Sequence, residues 1–160
     1  MTTQENPKGR LALFPISFFS VTLGLGGWAV ATLKMAEYWP LSPRIAALPL
    51  VLDMLVFVFL AVFYGVKVFS HGQEVRRELN HPIKLNFFPT ISIGLVLLSI
   101  AFLDVYLPLS RGLWILGGLL HLLLTLYILR DWITQEHYEI QHMNPSWFIP
   151  VVGNILVPIA

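Results

Sequence analysis

The chain has 160 residues, of which 56% are apolar and only 12% are charged, and its net charge is +1. About 25% of the residues of an average soluble domain are charged, so this composition excludes a soluble domain and places the chain in a lipid bilayer. The small net charge, without a long basic run, excludes nucleic acid as the expected partner, and the absence of cysteine excludes disulfides and cysteine-bound metals.

Long stretches with almost no charge follow a short polar tail at residues 1–10. A membrane-spanning helix needs about 20 apolar residues. We therefore predict an all-α polytopic membrane protein with spans at residues 11–33, 45–68, 85–103, 112–130 and, shorter, 145–160. The fifth stretch offers only roughly 24 Å of helix at ~1.5 Å per residue, and no polar segment follows it. We therefore expect the sequence to be the first part of a longer protein.

Lysine and arginine are distributed unequally between the connecting segments. With residues 1–10 in the cytoplasm, seven of these residues lie inside, and three lie outside: Lys34, Arg44 and Arg111. The positive-inside rule therefore predicts a cytoplasmic N-terminus. The connector at residues 70–86 is the most charged stretch, and we expect it to be a solvated cytoplasmic segment. A regulatory or docking role is the alternative.

The first, third and fifth spans share a phenylalanine, followed within two residues by a proline and then by a glycine. These residues are Phe14, Pro15 and Gly24, then Phe88, Pro89 and Gly94, then Phe148, Pro150 and Gly153. A proline early in a membrane helix frees a carbonyl and bends the helix, which is tolerated where protein or water faces it. We therefore predict helical hairpins in which kinked odd helices lie inside and even helices face lipid. The alternative is tolerated kinks in an ordinary bundle.

Three stretches resemble one known family: FPISFFSVTLGLGGWA (14–29), EVRRELNHPIKLNFF (74–88) and HMNPSWFIPVVGN (142–154). This is the tellurite-resistance and C4-dicarboxylate transporter family, which includes TehA proteins and plant slow anion channels. The resemblance implies ten helices in five hairpins, a central pore lined by odd helices and a homotrimer, with this chain supplying the first half. It also implies passage of small anions such as chloride or nitrate, and of oxyanions or dicarboxylates in some members. The family's gating phenylalanine lies in the ninth span, so no phenylalanine of this chain inherits that role.

Side chains of the odd spans are the candidate pore wall. These spans contain no acidic residue, and an anion path can use neutral donors and backbone dipoles exposed at kinks. The candidates are Phe14, Pro15, Ser17, Gly24, Phe88, Pro89, Ser92, Gly94, Phe148, Pro150, Gly153 and Asn154.

Asp53 and His121 are the candidate intramembrane polar residues, because both lie well inside predicted spans. Asp53 is either a proton or ion relay, or a carboxyl that is hydrogen-bonded within its hairpin or protonated. His121 is either a ligand or relay, or a hydrogen-bonded packing residue. Haem binding needs paired histidines on facing helices, and hydrolysis needs clustered acids and bases. Because the spans offer neither, we expect no enzyme activity, no cofactor and no metal.

Taken together, these features predict an anion channel or transporter in the cell membrane, specifically the bacterial inner membrane. The alternative is a membrane subunit that transports nothing and packs against partners in a larger complex.

Overall fold

A computed structural model of the chain describes residue 9, residues 11–134 and residues 145–160, and in this part every regular element is a helix. The α-helices are α1 (Ser20–Tyr38), α2 (Pro43–Ser70), α3 (Gly72–Leu79), α4 (Pro89–Phe102), α5 (Leu107–Thr134) and α6 (Ile149–Leu156). Short 3₁₀ turns precede α1, α4 and α6, at Ile16–Phe19, Lys84–Phe87 and Pro145–Phe148. Of the predicted tail at residues 1–10, Gly9 is described, and residues 1–8 and 10 lie outside the described residues.

Four helical segments of the described chain are long and apolar enough to cross a bilayer. They are Ile16–Tyr38, Pro43–Ser70, Lys84–Phe102 and Leu107–Thr134. A shorter apolar segment, Pro145–Leu156, follows them. The prediction of an all-α fold with several membrane-spanning helices is confirmed.

The first helix ends later than the predicted limit of residue 33, because charged residues continue it. It runs to Tyr38, and the ammonium of Lys34 lies 2.7 Å from the carboxylate of Glu37 on its surface. Opposite charges three residues apart on a helix stabilise it. An end of an apolar run is therefore not an end of the helix. Similarly, α5 extends over residues 107–134, beyond the predicted 112–130.

The central element is α4. The third span, Lys84–Phe102, contains α4, and 78% of the residues in its most apolar 18-residue stretch are buried, against 28% for the first span, 33% for α2 and 22% for α5. Helices α1 and α2 pack on one part of its surface, and α5 and α6 on another. The third span is thus much more buried than the even-numbered spans, whereas the first span is buried to about the same extent as they are.

The even-numbered spans α2 and α5 each bury one narrow face. On α2 the buried residues recur every three or four positions: Ala46, Pro49, Leu50, Asp53, Phe57, Leu60, Tyr64 and Lys67. The rest of α2 exposes large apolar side chains such as Leu55, Val58 and Phe59. A helix with an apolar exterior and a narrow buried face is suited to a lipid-facing position.

The connector at residues 70–86 is folded and packed, so the prediction of a solvated segment is wrong for one of its faces. Helix α3 buries Val75 and Glu78, three residues apart, and packs against α2. Arg76 and Arg77 stay exposed on the other face. The charge of the connector thus belongs to an amphipathic helix that lies against the membrane domain.

Candidate pore wall and proline turns

The three prolines of the odd-numbered spans lie where helices begin. Pro15 immediately precedes the turn Ile16–Phe19, Pro89 is the first residue of α4, and Pro150 is the second residue of α6. Proline suits a first helical turn, because the backbone N–H that it lacks would have no partner within the helix there. Each proline therefore lies within two residues of an end of a 3₁₀ turn.

At the first proline turn, a backbone carbonyl is bonded to a buried lysine. The ammonium of Lys67, on α2, donates a 2.7 Å hydrogen bond to the carbonyl oxygen of Phe14 and lies 3.0 Å from Glu78 Oε1. The hydroxyl of Tyr64 donates to Glu78 Oε2 at 2.8 Å. Burying a charge is costly, and ion pairing and hydrogen bonds offset that cost. This cluster satisfies Lys67 and ties α3 to α2 and to the segment that precedes α1.

At the other two proline turns, the carbonyls are linked through a buried histidine of α5. His121 Nδ1 lies 2.9 Å from the Ser92 hydroxyl, and that hydroxyl lies 2.8 Å from the carbonyl oxygen of Pro89. His121 Nε2 lies 3.0 Å from the carbonyl oxygen of Pro150. The contacts connect α4, α5 and α6 around one side chain, which is 1% exposed. They agree with the hydrogen-bonded alternative for His121.

At Gly153 and Gly94, neighbouring helices approach too closely to leave room for a side chain. A Cβ at Gly153 would overlap the ring of His121, and a Cβ at Gly94 would lie 2.9 Å from Thr22 Oγ1. Real Cβ atoms do not approach neighbours this closely, so both positions need hydrogen in place of a side chain. The two glycines let α6 approach α5, and let α4 approach α1.

The glycines of α1 differ from one another. Gly24 and Gly27 are exposed and have nothing within 4 Å of a Cβ built on them. At Gly26, by contrast, a Cβ would lie 2.9 Å from Leu97 Cβ and 3.1 Å from Asp53 Oδ2. The close approach of α1 to α4 and α2 thus uses Gly26, which sequence reasoning did not select.

The candidate pore-wall residues as a set range from buried to exposed. The buried ones are Phe88, Pro89, Ser92, Gly94, Pro150 and Gly153; the half-buried ones are Phe14, Pro15 and Ser17; the exposed ones are Gly24, Phe148 and Asn154. The ring of Phe88 packs edge-on against Tyr64, and that of Phe14 against Phe18. The amide of Asn154 donates to the carbonyl of Pro150 at 2.9 Å.

Asp53 has no hydrogen-bonding partner among the described residues, although its side chain is fully buried. One of its oxygens faces Gly26 of α1, and α4 contributes Leu97 at the same point. The alternative in which Asp53 is hydrogen-bonded within its hairpin is therefore wrong. In the part of the chain that the structure covers, no group of three or more metal-ligating side chains comes together.

Comparison with known proteins assigns the family. The family model described as SLAC1, voltage-dependent anion channel, matches residues 13–160. The chain belongs to this family. Its membership confirms the resemblance noted from the sequence, and together with the apolar helices it establishes a multi-pass membrane protein.

Relatives in the SLAC1 family come from archaea, bacteria and plants. An uncharacterized transporter of Methanocaldococcus jannaschii is 30% identical over 149 residues, which are 92% of this chain and 44% of that protein. The guard cell S-type anion channel SLAC1 of Arabidopsis thaliana is 27% identical, covering 91% of this chain and 28% of that protein. A tellurite resistance protein TehA homolog of Haemophilus influenzae is 24% identical, covering 87% and 42%. The chain thus spans less than half the length of each of these relatives.

Proposed function

We propose that this chain forms part of the wall of a pore that passes small anions across a membrane. Chloride and nitrate are the expected anions, with oxyanions or dicarboxylates as further candidates, and no enzyme activity is part of the proposal. In this arrangement the N-terminus faces the cytoplasm, the membrane is the bacterial inner membrane, and the protein is a homotrimer. The matched family, and relatives named as transporters and anion channels, support the proposal.

The observation that carries the proposal is a face of small residues on α1. Ser20, Gly24, Gly27 and Ala31 recur at helical spacing, and all are exposed. A lipid-facing surface in this protein has large side chains, as on α2 and α5. Small residues instead leave room beside a helix or admit another helix. A wall of a narrow path requires such room.

A second exposed face of α1 carries large apolar side chains, as a lipid-facing surface does. Val21, Trp28 and Met35, which lie at seven-residue spacing beside the small face, are exposed and large. α1 therefore has one face suited to acyl chains and another, of small residues, that is not. The two exposed faces support a position of this helix between lipid and an interior space.

The charges near the small face suit an anion path. No acidic residue lies in α4 or α6, and the acid of α1, Glu37, is paired with Lys34. The ammonium of Lys34 also lies 3.6 Å from Asp104, beyond the end of α4. Cation pathways use rings of unpaired acids. Such a ring is not formed by the described residues of the odd spans.

Reversal potentials of the natural protein in planar bilayers test the proposal. Under a chloride gradient we expect the current to reverse near the equilibrium potential of chloride. The substitution Gly24→Leu should lower the conductance, because it fills the open face of α1. The matched control is Gly112→Leu on α5, since Gly112 is also exposed with nothing within 4 Å of its Cβ position.

Three results would count against the proposal. A cation-selective current would contradict the assigned substrate class. The absence of any anion current from the natural protein would favour the alternative of a membrane subunit that transports nothing. Equal conductance loss in Gly24→Leu and Gly112→Leu would remove α1 from the wall.

A further inference from the structure

We infer that His121 is a proton-binding site. Its charged form completes three hydrogen bonds among α4, α5 and α6, whereas its neutral form completes two. Three contacts meet at this residue and its neighbour: Ser92 to the Pro89 carbonyl, Ser92 to His121 Nδ1, and His121 Nε2 to the Pro150 carbonyl. Their lengths are 2.8, 2.9 and 3.0 Å, all within hydrogen-bonding distance.

A count of hydrogens shows why a proton belongs here. The carbonyls of Pro89 and Pro150 can only accept, so the three contacts need three hydrogens from Ser92 and His121. The serine hydroxyl supplies one, and a neutral imidazole supplies one more. In either neutral tautomer one contact therefore brings two acceptors together. An imidazolium supplies the third hydrogen, and all three contacts become hydrogen bonds.

In each neutral tautomer of His121, one of the three contacts is repulsive. With the proton on Nε2, the Ser92 hydroxyl bonds either the Pro89 carbonyl or Nδ1, and the other contact is repulsive. With the proton on Nδ1, the contact with the Pro150 carbonyl is repulsive. Uptake of a proton removes this conflict. Proton binding and the seating of α6 against α4 and α5 are therefore coupled.

No acidic side chain among the described residues faces the imidazole. Helices α4 and α6 contain no charged or titratable residue, and the turn at 145–148 has none. Lys84, in the turn before α4, is exposed. On α5, Arg111, Arg130 and Asp131 lie nine or ten residues away, about 14–15 Å at ~1.5 Å per residue. The hydrogen-bond network, and not a partner carboxylate, is therefore what holds the added proton.

A cavity gives the proton a route to this site. His121 lines a space of about 490 Å³ between α5 and α6, together with Trp114, Gly118 and Asn154. The imidazole is 1% exposed, yet one edge of it borders this space. A water molecule that enters the cavity can exchange a proton with the ring.

Nitrogen NMR of ¹⁵N-histidine-labelled protein in lipid nanodiscs tests the inference. The His121 signal is the one missing from His121→Gln. We expect both ring nitrogens to become protonated as the pH falls, while the protein stays folded. In Ser92→Ala the titration midpoint should fall by about one pH unit, since the charged form loses a hydrogen bond.

Ser99→Ala is the matched control for that variant. Ser99 is also a buried serine of α4 whose hydroxyl donates at 2.8 Å to the carbonyl three residues back, and it has no hydrogen bond to His121. The midpoint of His121 should be unchanged in Ser99→Ala. An equal midpoint in both variants, or a ring that stays neutral until the protein unfolds, would overturn the inference. The measurement involves no transport, so its outcome is independent of the proposed anion pore.

Discussion

Two charged side chains on one face of α2 have opposite surroundings. Asp53 and Lys67 are both fully buried and lie 14 residues apart on the same buried stripe. Lys67 bonds the carbonyl of Phe14 and the carboxylate of Glu78. Asp53 faces Gly26 and has no hydrogen bond with any described residue. The same helix thus carries one buried ionisable group that is hydrogen-bonded and one that is not.

Position along the helix explains the difference. In the middle of a helix, each backbone N–H already donates to a carbonyl of the same helix and is not available to a carboxylate. Near helix ends, backbone groups lack partners within the helix. Lys67 lies near the end of α2, beside the Phe14 carbonyl and beside α3, whereas Asp53 lies in mid-helix against glycine. Among the described residues of α2, the buried ionisable group near the helix end is therefore paired, and the one in mid-helix is not.

The largest expected effect is the loss of the lysine. Lys67→Met should lower the free energy of unfolding by about 3–5 kcal/mol, because Glu78 would stay buried without its partner. Unfolding in detergent micelles, followed by circular dichroism, measures the change. Lys84→Met is the control, since Lys84 is exposed, and it should have little effect.

The double variant Lys67→Met, Glu78→Gln sharpens this test. Removing both charges removes the unpaired carboxylate, so the double variant should be more stable than Lys67→Met alone. A double variant that is less stable, or a Lys67→Met protein as stable as the wild type, would show that the pairing at the end of α2 does not stabilise the fold.

An intermediate effect is expected at the glycine that faces Asp53. Gly26→Ala should cost about 1–3 kcal/mol, since its methyl group would press on Leu97 and Asp53. Gly24→Ala, two residues earlier on the same helix, should instead gain up to about 1 kcal/mol, because its methyl group meets open space and alanine favours helix. Thermal unfolding of both variants compares them. Equal effects would contradict the orientation of α1.

The smallest effect is expected at Asp53 itself. Asp53→Asn keeps the shape of the side chain and removes no hydrogen bond, because Asp53 has none with the described residues. The free energy of unfolding should therefore change by less than about 1 kcal/mol, in contrast to Lys67→Met. A loss of more than about 2 kcal/mol would indicate that Asp53 is paired after all.

Much of the fold could be predicted from the sequence, because the bilayer restricts it strongly. Stretches without charge and close to 20 residues long have few structures open to them other than spanning helices. The proline pattern also directed attention to residues that contact one another, since Pro89 and Pro150 are linked through Ser92 and His121.

Other features depend on tertiary geometry that the sequence pattern does not contain. Lys67 and Glu78 are 11 residues apart, and they meet only because α3 folds back against α2. Gly24, Gly26 and Gly27 lie within four positions, so the one that approaches α4 depends on the rotation of α1. Helix rotation is determined by packing partners, which a single sequence leaves open.

The accessibility of cysteines introduced on α1 measures whether its small face contacts water, and these 160 residues contain no natural cysteine. With any cysteine outside these 160 residues replaced by serine, Gly24→Cys places a thiol on the small face, and Leu55→Cys places one on the lipid-facing surface of α2. A thiol reacts with a water-soluble reagent as its thiolate, which requires water. We expect an anionic reagent to modify Gly24→Cys and to leave Leu55→Cys unmodified. A Gly24→Cys protein as unreactive as Leu55→Cys would contradict it.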